Sequence, residues 1–174
     1  GIVQRQPRGK IEAVDWMELL RRWSLDSPPH SRGEATRLAC ARGIPDFLAR
    51  LGSSGFLHAL TGKIAFARLA CSELPDTAVL YVEDVLAALD QFSLHPADQN
   101  ANVILVKPSD RSVFQRSSEE AGLRYVSPSL MAADVGESDA FESVLAWMST
   151  HESAWRLESE GSEVGQGRAR AQSR

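Results

Sequence analysis

Apolar and polar positions change period several times along the chain. Two β-capable runs open it, Ile2–Arg5 and Lys10–Val14, joined by Pro7-Arg8-Gly9. Pro presets φ for a turn and Gly permits positive φ, which predicts a β-hairpin with a basic tip. From Trp16 the period becomes helical: Trp16, Leu19, Leu20 and Trp23 fall at i, i+3, i+4 and i+7. That spacing predicts an amphipathic helix over 16–25, with Asp15 as its N-cap and Ser27-Pro28-Pro29 as its stop. The polar stretch His30–Gly33 reads as a loop at the border of a second unit.

Beyond the border, strand and helix signals alternate. Thr36–Ala41 fits either a short strand or a helix turn. Pro45 suits the first position of a helix carrying Phe47, Leu48 and Leu51 and ending at Gly52-Ser-Ser-Gly55. Phe56–Leu60 predicts a strand, and Thr61 then caps a helix with Ile64, Ala65, Ala67, Arg68 and Leu69. Ala78–Val82 is the strongest strand signal, followed by Glu83-Asp84 and a helix over Val85–Phe92. Val103–Val106 and Leu123–Val126 predict further strands, with a short helix or turn over Ser112–Arg116 between them. Ser127-Pro128 opens a helix towards Val135, and a last helix runs from about Asp139 to Trp155, with Phe141, Val144, Leu145 and Met148 on one face.

This alternation predicts an α/β (α+β) fold, a small mixed sheet with flanking helices. Three units are expected: a front module at 1–29, an α/β body at 30–156 and a tail at 157–174. The tail is rich in Gly, Ser, Glu and Arg and nearly free of apolar side chains, so disorder is expected there. The chain opens on Gly1 with no methionine, which reads as a cut start, and its first residues lack the apolar core of a signal peptide.

Composition narrows the function classes. With 43% hydrophobic and 24% charged residues, the 174-residue chain has the make-up of a globular protein. It contains no apolar run of the roughly 20 residues that span a bilayer, so no membrane role is expected. Cys40 and Cys71 lack C-x-x-C spacing, and a reducing cytoplasm fits them. Each cysteine has apolar neighbours and is expected to be buried. Charge is unevenly spread: residues 1–50 hold nine basic and six acidic side chains, residues 51–156 seven and fourteen. A basic front on an acidic body suggests two surfaces for two partners, DNA being the expected one at the front.

Signatures of serine hydrolases, zinc proteases, EF-hands and dinucleotide-binding enzymes are absent from the sequence. His30, His58, His95 and His151 have no metal-ligand spacing, and neither a metal nor a cofactor is expected. One constellation invites a catalytic reading: Thr61-Gly62-Lys63 at a strand-to-helix turn, then Glu83 and Asp84 after the strand Val79–Val82. Nucleotidyltransferase folds use a small-residue turn to cradle phosphates and a carboxylate pair to hold activating metals. Such a pair needs acid-x-acid spacing, because only i and i+2 share a strand face. Glu83 and Asp84 are adjacent, so a nucleotidyltransferase-like scaffold without activity is the expected case. The enzyme alternative requires Glu83 and Asp84 to converge with a third acid, such as Asp110 or Asp134. Without that, Thr61, Gly62 and Lys63 are a candidate phosphate or partner site.

Arg5, Arg8 and Lys10 on the hairpin suit the wing of a winged helix gripping phosphate oxygens. Tryptophans at 16, 23, 147 and 155 read mainly as core. Trp155, beside a polar stretch, is the better candidate for docking a partner.

An ordered set of phrases also matches a known pattern: Gly1-Ile-Val, Arg8-Gly-Lys, Val14-Asp-Trp, Leu19-Leu-Arg-Arg-Trp23, Leu60-Thr-Gly, Arg68-Leu-Ala70, Tyr81-Val-Glu-Asp84, Asn102-Val-Ile-Leu, Gly122-Leu-Arg-Tyr-Val-Ser-Pro-Ser129 and Ala146-Trp-Met148. Together they resemble the AbiEi family, antitoxins of type IV toxin-antitoxin systems, particularly its actinobacterial branch of transcriptional regulators. The resemblance spans Gly1 to about Trp155. It implies a non-enzymatic regulator with an N-terminal winged helix that represses its own operon. It also implies a C-terminal domain that neutralises a nucleotidyltransferase-like toxin. Residues 1–14 are similar to the end of that winged helix, a remnant whose recognition helix would lie upstream, and 30–156 to the antitoxin domain. Relatives carry a longer Gly/Pro-rich loop where this chain has Gly136-Glu-Ser-Asp.

Overall fold

A computed structural model describes residues 2–5, 11–26, 32–136, 138–152 and 155. The front hairpin pairs β1 (Val3–Arg5) with β2 (Ile11–Val14) antiparallel, with an irregularity between Gln4 and Arg5. Helix α1 (Trp16–Asp26) follows at once. Asp15 caps it as expected, its Oδ1 accepting the Glu18 amide at 3.1 Å.

Seven strands, more than the small sheet anticipated, form one mixed sheet. In chain order they are β3 (Gly33–Ala39), β4 (His58–Thr61), β5 (Ala78–Val82), β6 (His95–Pro96), β7 (Val103–Pro108), β8 (Ser118–Glu120) and β9 (Leu123–Tyr125). Across the sheet the order is β6-β3-β7-β5-β4-β9-β8. Strands β5 and β7 run parallel, as do β4 and β9; the other neighbours are antiparallel. The ambiguous stretch Thr36–Ala41 is strand as far as Ala39. The strand begins at Gly33, inside the expected loop, because that residue pairs with Pro108 and a Cβ there would overlap the Lys107 carbonyl.

Helices α2 (Gly43–Ser54) and α4 (Val85–Phe92) cover one face of the sheet. Helix α1 covers the other with α5 (Pro128–Val135) and α6 (Asp139–Thr150). The period-2 alternation of β5 divides these cores: Ala78, Leu80 and Val82 pack with Phe47, Leu51 and Phe92, whereas Tyr81 points towards α5 and α6. Helix α3 (Gly62–Ala70) serves both, with Ile64 in one core and Ala65 in the other. A 3-10 helix covers Arg111–Phe114. None of the described helices is long and apolar enough to cross a membrane.

The edge hairpin β8–β9 meets β4 through one register pair, Leu60 with Tyr125. His58 reinforces it. Buried at 3% exposure, its Nε2 accepts the Arg124 amide at 3.0 Å, so Nδ1 carries the proton and donates to the Phe56 carbonyl at 2.7 Å. Burial lowers its pKa from the ordinary 6.5, against a smaller raising effect of that carbonyl.

Candidate functional site

The turn from β4 into α3 lies where the phosphate-cradle reading placed it. Thr61 is extended, with φ −141°, and Gly62 enters α3 at φ +63°, a conformation glycine adopts without steric cost. Thr61 occupies the N-cap position, yet its side chain caps nothing. Its hydroxyl instead donates to Oδ2 of Asp134 at 2.6 Å, and the Tyr81 hydroxyl donates to the same oxygen at 2.8 Å. Arg32 forms an ion pair with the other oxygen, Oδ1. The Asp134 side chain has no exposure and that of Arg32 11%. Burial lowers the Arg32 pKa, opposed by nearby Tyr81, and burial raises that of Tyr81, opposed by Arg32.

This arrangement is a buried polar knot fed by four elements. Thr61 comes from the end of β4, Tyr81 from β5, Asp134 from the last turn of α5 and Arg32 from the residue before β3. A carboxylate in the interior needs donors on every side, and here two hydroxyls and a guanidinium supply them. The knot also decides what the turn can bind. The Asp134 carbonyl oxygen stands 3.9 Å from the position a Gly62 Cβ would take. An anion approaching there would meet that carbonyl oxygen, and the Thr61 hydroxyl is already committed to Asp134. Lys63 is exposed on α3, outside the knot.

Glu83 and Asp84 do not lie on β5. The strand ends at Val82, so the two side chains are not assigned to opposite faces of an extended segment. Asp84 is the N-cap of α4, its Oδ1 accepting the Ala87 amide at 2.9 Å. Glu83 pairs with Arg111. Asp110, one of the two acids named as possible third ligands, caps the 3-10 helix by accepting the Ser112 amide at 2.6 Å. The Ser112 side chain first, and then its amide, lower the Asp110 pKa by hydrogen bonding to the carboxylate. The other, Asp134, faces Thr61. Among the described residues, no three His, Cys, Asp or Glu side chains are grouped to hold a metal ion.

Of the expected DNA contacts, Arg5 lies on β1, while Arg8 and Lys10 fall outside the described residues, as does the tail at 157–174. Cys40 is buried as expected. Cys71 is exposed, because α3 ends there in a left-handed residue at φ 49° and the chain turns away from the core.

Trp155 proves to be part of a larger feature. Its indole Nε1 donates to the Met148 carbonyl at 2.8 Å, and its ring meets Trp16 edge-on, with centroids 5.3 Å apart. Together with Leu19, Leu20, Trp23 and Met148 these rings line a groove of about 400 Å³. The helical spacing of Trp16, Leu19, Leu20 and Trp23 was legible, but its apolar arc is wider than the body covers. Leu20 is buried at 6% exposure, whereas Leu19 and Trp23 remain 46% and 37% exposed.

No family model matches the chain, and no curated protein or solved structure matches it either.

Proposed function

We propose that this protein is a regulator of the AbiEi antitoxin type. Its α/β body recognises a protein partner, a nucleotidyltransferase-like toxin, and its front hairpin serves as the wing of a DNA-binding winged helix. The observation that carries this reading is the engagement of the Thr61 hydroxyl by the buried Asp134 carboxylate at the Thr61-Gly62 turn. Where nucleotidyl transfer would need an open, electropositive cradle, the Thr61 hydroxyl is turned inward onto a carboxylate. The two acids that would have supplied metal ligands serve instead as a helix cap and an ion-pair partner. Further support comes from the ordered phrases that resemble the family, and from the basic front set against an acidic body.

Co-expression tests the reading. The chain is produced in cells that also induce the product of the adjacent gene, and growth is followed. The expected result is restored growth that survives Glu83→Ala and Lys63→Ala, since neither residue takes part in chemistry. Rescue abolished by both substitutions in folded protein would overturn it in favour of a catalytic role.

A further inference from the structure

From the way β8 and β9 are fastened to the sheet we infer that their hairpin is an acid-operated flap. Protonation of His58 releases the Arg124 amide, and the hairpin detaches from β4 while the central strands stay folded.

The attachment is slight. Within the hairpin three register pairs join β8 to β9, whereas Leu60 with Tyr125 is the one register pair between it and β4. The Val126 amide donates to the Leu60 carbonyl at 3.0 Å. Two residues earlier the Arg124 amide finds a side chain in place of a strand carbonyl, the Nε2 of His58. Strand β8 is the last in the sheet, so among the described residues no strand holds the hairpin from its far side. The turn adds strain, because Ala121 at φ 51° holds a left-handed conformation that its Cβ disfavours. Besides His58, Arg68 of α3 secures the hairpin, stacked 4.4 Å over the Tyr125 ring and donating to the Ser118 hydroxyl at 3.2 Å. The tip rests on α2 at Gly52.

The imidazole fills its place in one protonation state only. Neutral, with its proton on Nδ1, it donates to the Phe56 carbonyl and accepts from Arg124. Charged, both ring nitrogens are donors, and Nε2–H then points at an N–H. The ring is enclosed, so the charge reaches water only when the hairpin moves away.

Charged neighbours come from the hairpin itself. The Arg124 guanidinium opposes a charge on the ring and the Glu119 carboxylate favours one, and these two pair with each other at 3.5 Å. Arg68 pairs with Glu120 at 3.6 Å. On the other side of β4, Val82 of β5 stands opposite His58, and the next residue, Glu83, is paired with Arg111. The last turn of α2, Leu51 to Ser54, has no charged side chain. The imidazole is therefore the group whose change of charge bears on the Arg124 amide. Opening uncovers Leu123 and Tyr125, which pack on the core beneath α2, and leaves β4 with an unpaired edge to which an extended segment can add.

Amide hydrogen exchange of the intact chain, resolved by NMR between about pH 7.5 and 5.5 and corrected for the intrinsic rate at each pH, tests the flap. In the open hairpin His58 titrates at its ordinary 6.5. Opening read at the Arg124 and Val126 amides should therefore rise about tenfold for each pH unit below that value, until the folded-state pKa is reached. The amides of β5 and β7 should keep their protection. His58→Gln offers an acceptor to Arg124 and a donor to Phe56 at every pH, so its hairpin should open to the same extent throughout. Glu119→Gln should retain the rise. The inference is overturned if the opening of the parent is independent of pH, or if β5 and β7 lose protection in step with the hairpin. It is overturned equally if His58→Gln keeps the rise or Glu119→Gln abolishes it.

Discussion

Thr61 and Asp134 are joined by a 2.6 Å hydrogen bond between positions 73 residues apart in the chain. That bond turns a motif that looks like a phosphate cradle into a structural joint. It fastens the C-terminal end of α5 onto the mouth of the β4–α3 turn, and the Tyr81 hydroxyl completes it from the neighbouring strand.

The knot should be costly to break from the acidic side. Asp134→Ala leaves the Arg32 guanidinium without its counter-charge in a largely buried site, so a loss of about 3–5 kcal/mol is expected. Thr61→Val removes one hydrogen bond to a charged acceptor and should cost about 1–3 kcal/mol. Urea unfolding measures both. Equal and small effects would mean that the carboxylate is not the centre of the joint.

The buried histidine predicts a pH dependence. The folded-state pKa of His58 lies below its ordinary 6.5, because burial opposes the charge. Its contribution to stability is therefore complete above that value and is lost as pH falls through the lower, folded-state pKa, where protonation displaces the Arg124 amide from Nε2. The His58 proton resonances should titrate with a midpoint below 6.5. His58→Gln should flatten the acid limb of the stability curve, and an unchanged limb would contradict the assignment.

Asp84 and Glu83 should separate by structural role. Asp84→Ala removes an N-cap and should cost about 1 kcal/mol, most of it recovered by Asp84→Ser. Glu83→Ala breaks a solvent-facing ion pair and should cost less than about 0.5 kcal/mol. Thermal melts of the three variants decide this, and a reversed order would sink the capping role.

If the hairpin is a wing, its basic residues contact phosphates and not base edges. Binding of protein carrying the whole winged helix to its own promoter should then fall steeply with salt. Arg8→Ala should lower the slope of log K against log salt by about 1 and weaken all sequences alike. Loss confined to one DNA sequence, or affinity independent of salt, would contradict the wing.

Elements with strong period were legible in the amino-acid sequence. The β-branched run at Ala78–Val82, the helix over Val85–Phe92 and the Ser127-Pro128 start of α5 all stand where periodicity and capping chemistry put them. The full sheet was not legible. Strands His95–Pro96 and Ser118–Glu120 are two and three residues long, polar and at the sheet edges, where main-chain pairing with a neighbour defines the strand and side-chain pattern says nothing. The polar knot was hidden for a related reason. Thr61 reads locally as a helix cap in a phosphate-type turn, Arg32 and Tyr81 carry no such signature, and the three meet Asp134 only through the crossing of β3, β4, β5 and α5. Asp134 was visible as an acid in search of a role, while Arg32 and Tyr81 gave no signal.

Whether the Thr61-Gly62 turn accepts a phosphate is the most direct question that can be put to this account. Isothermal titration calorimetry of the intact protein with each of the four ribonucleoside triphosphates and magnesium answers it. With Asp134 seated against the turn, no saturable heat is expected for any of them. Saturable binding in the micromolar range that disappears in Lys63→Ala would contradict the account.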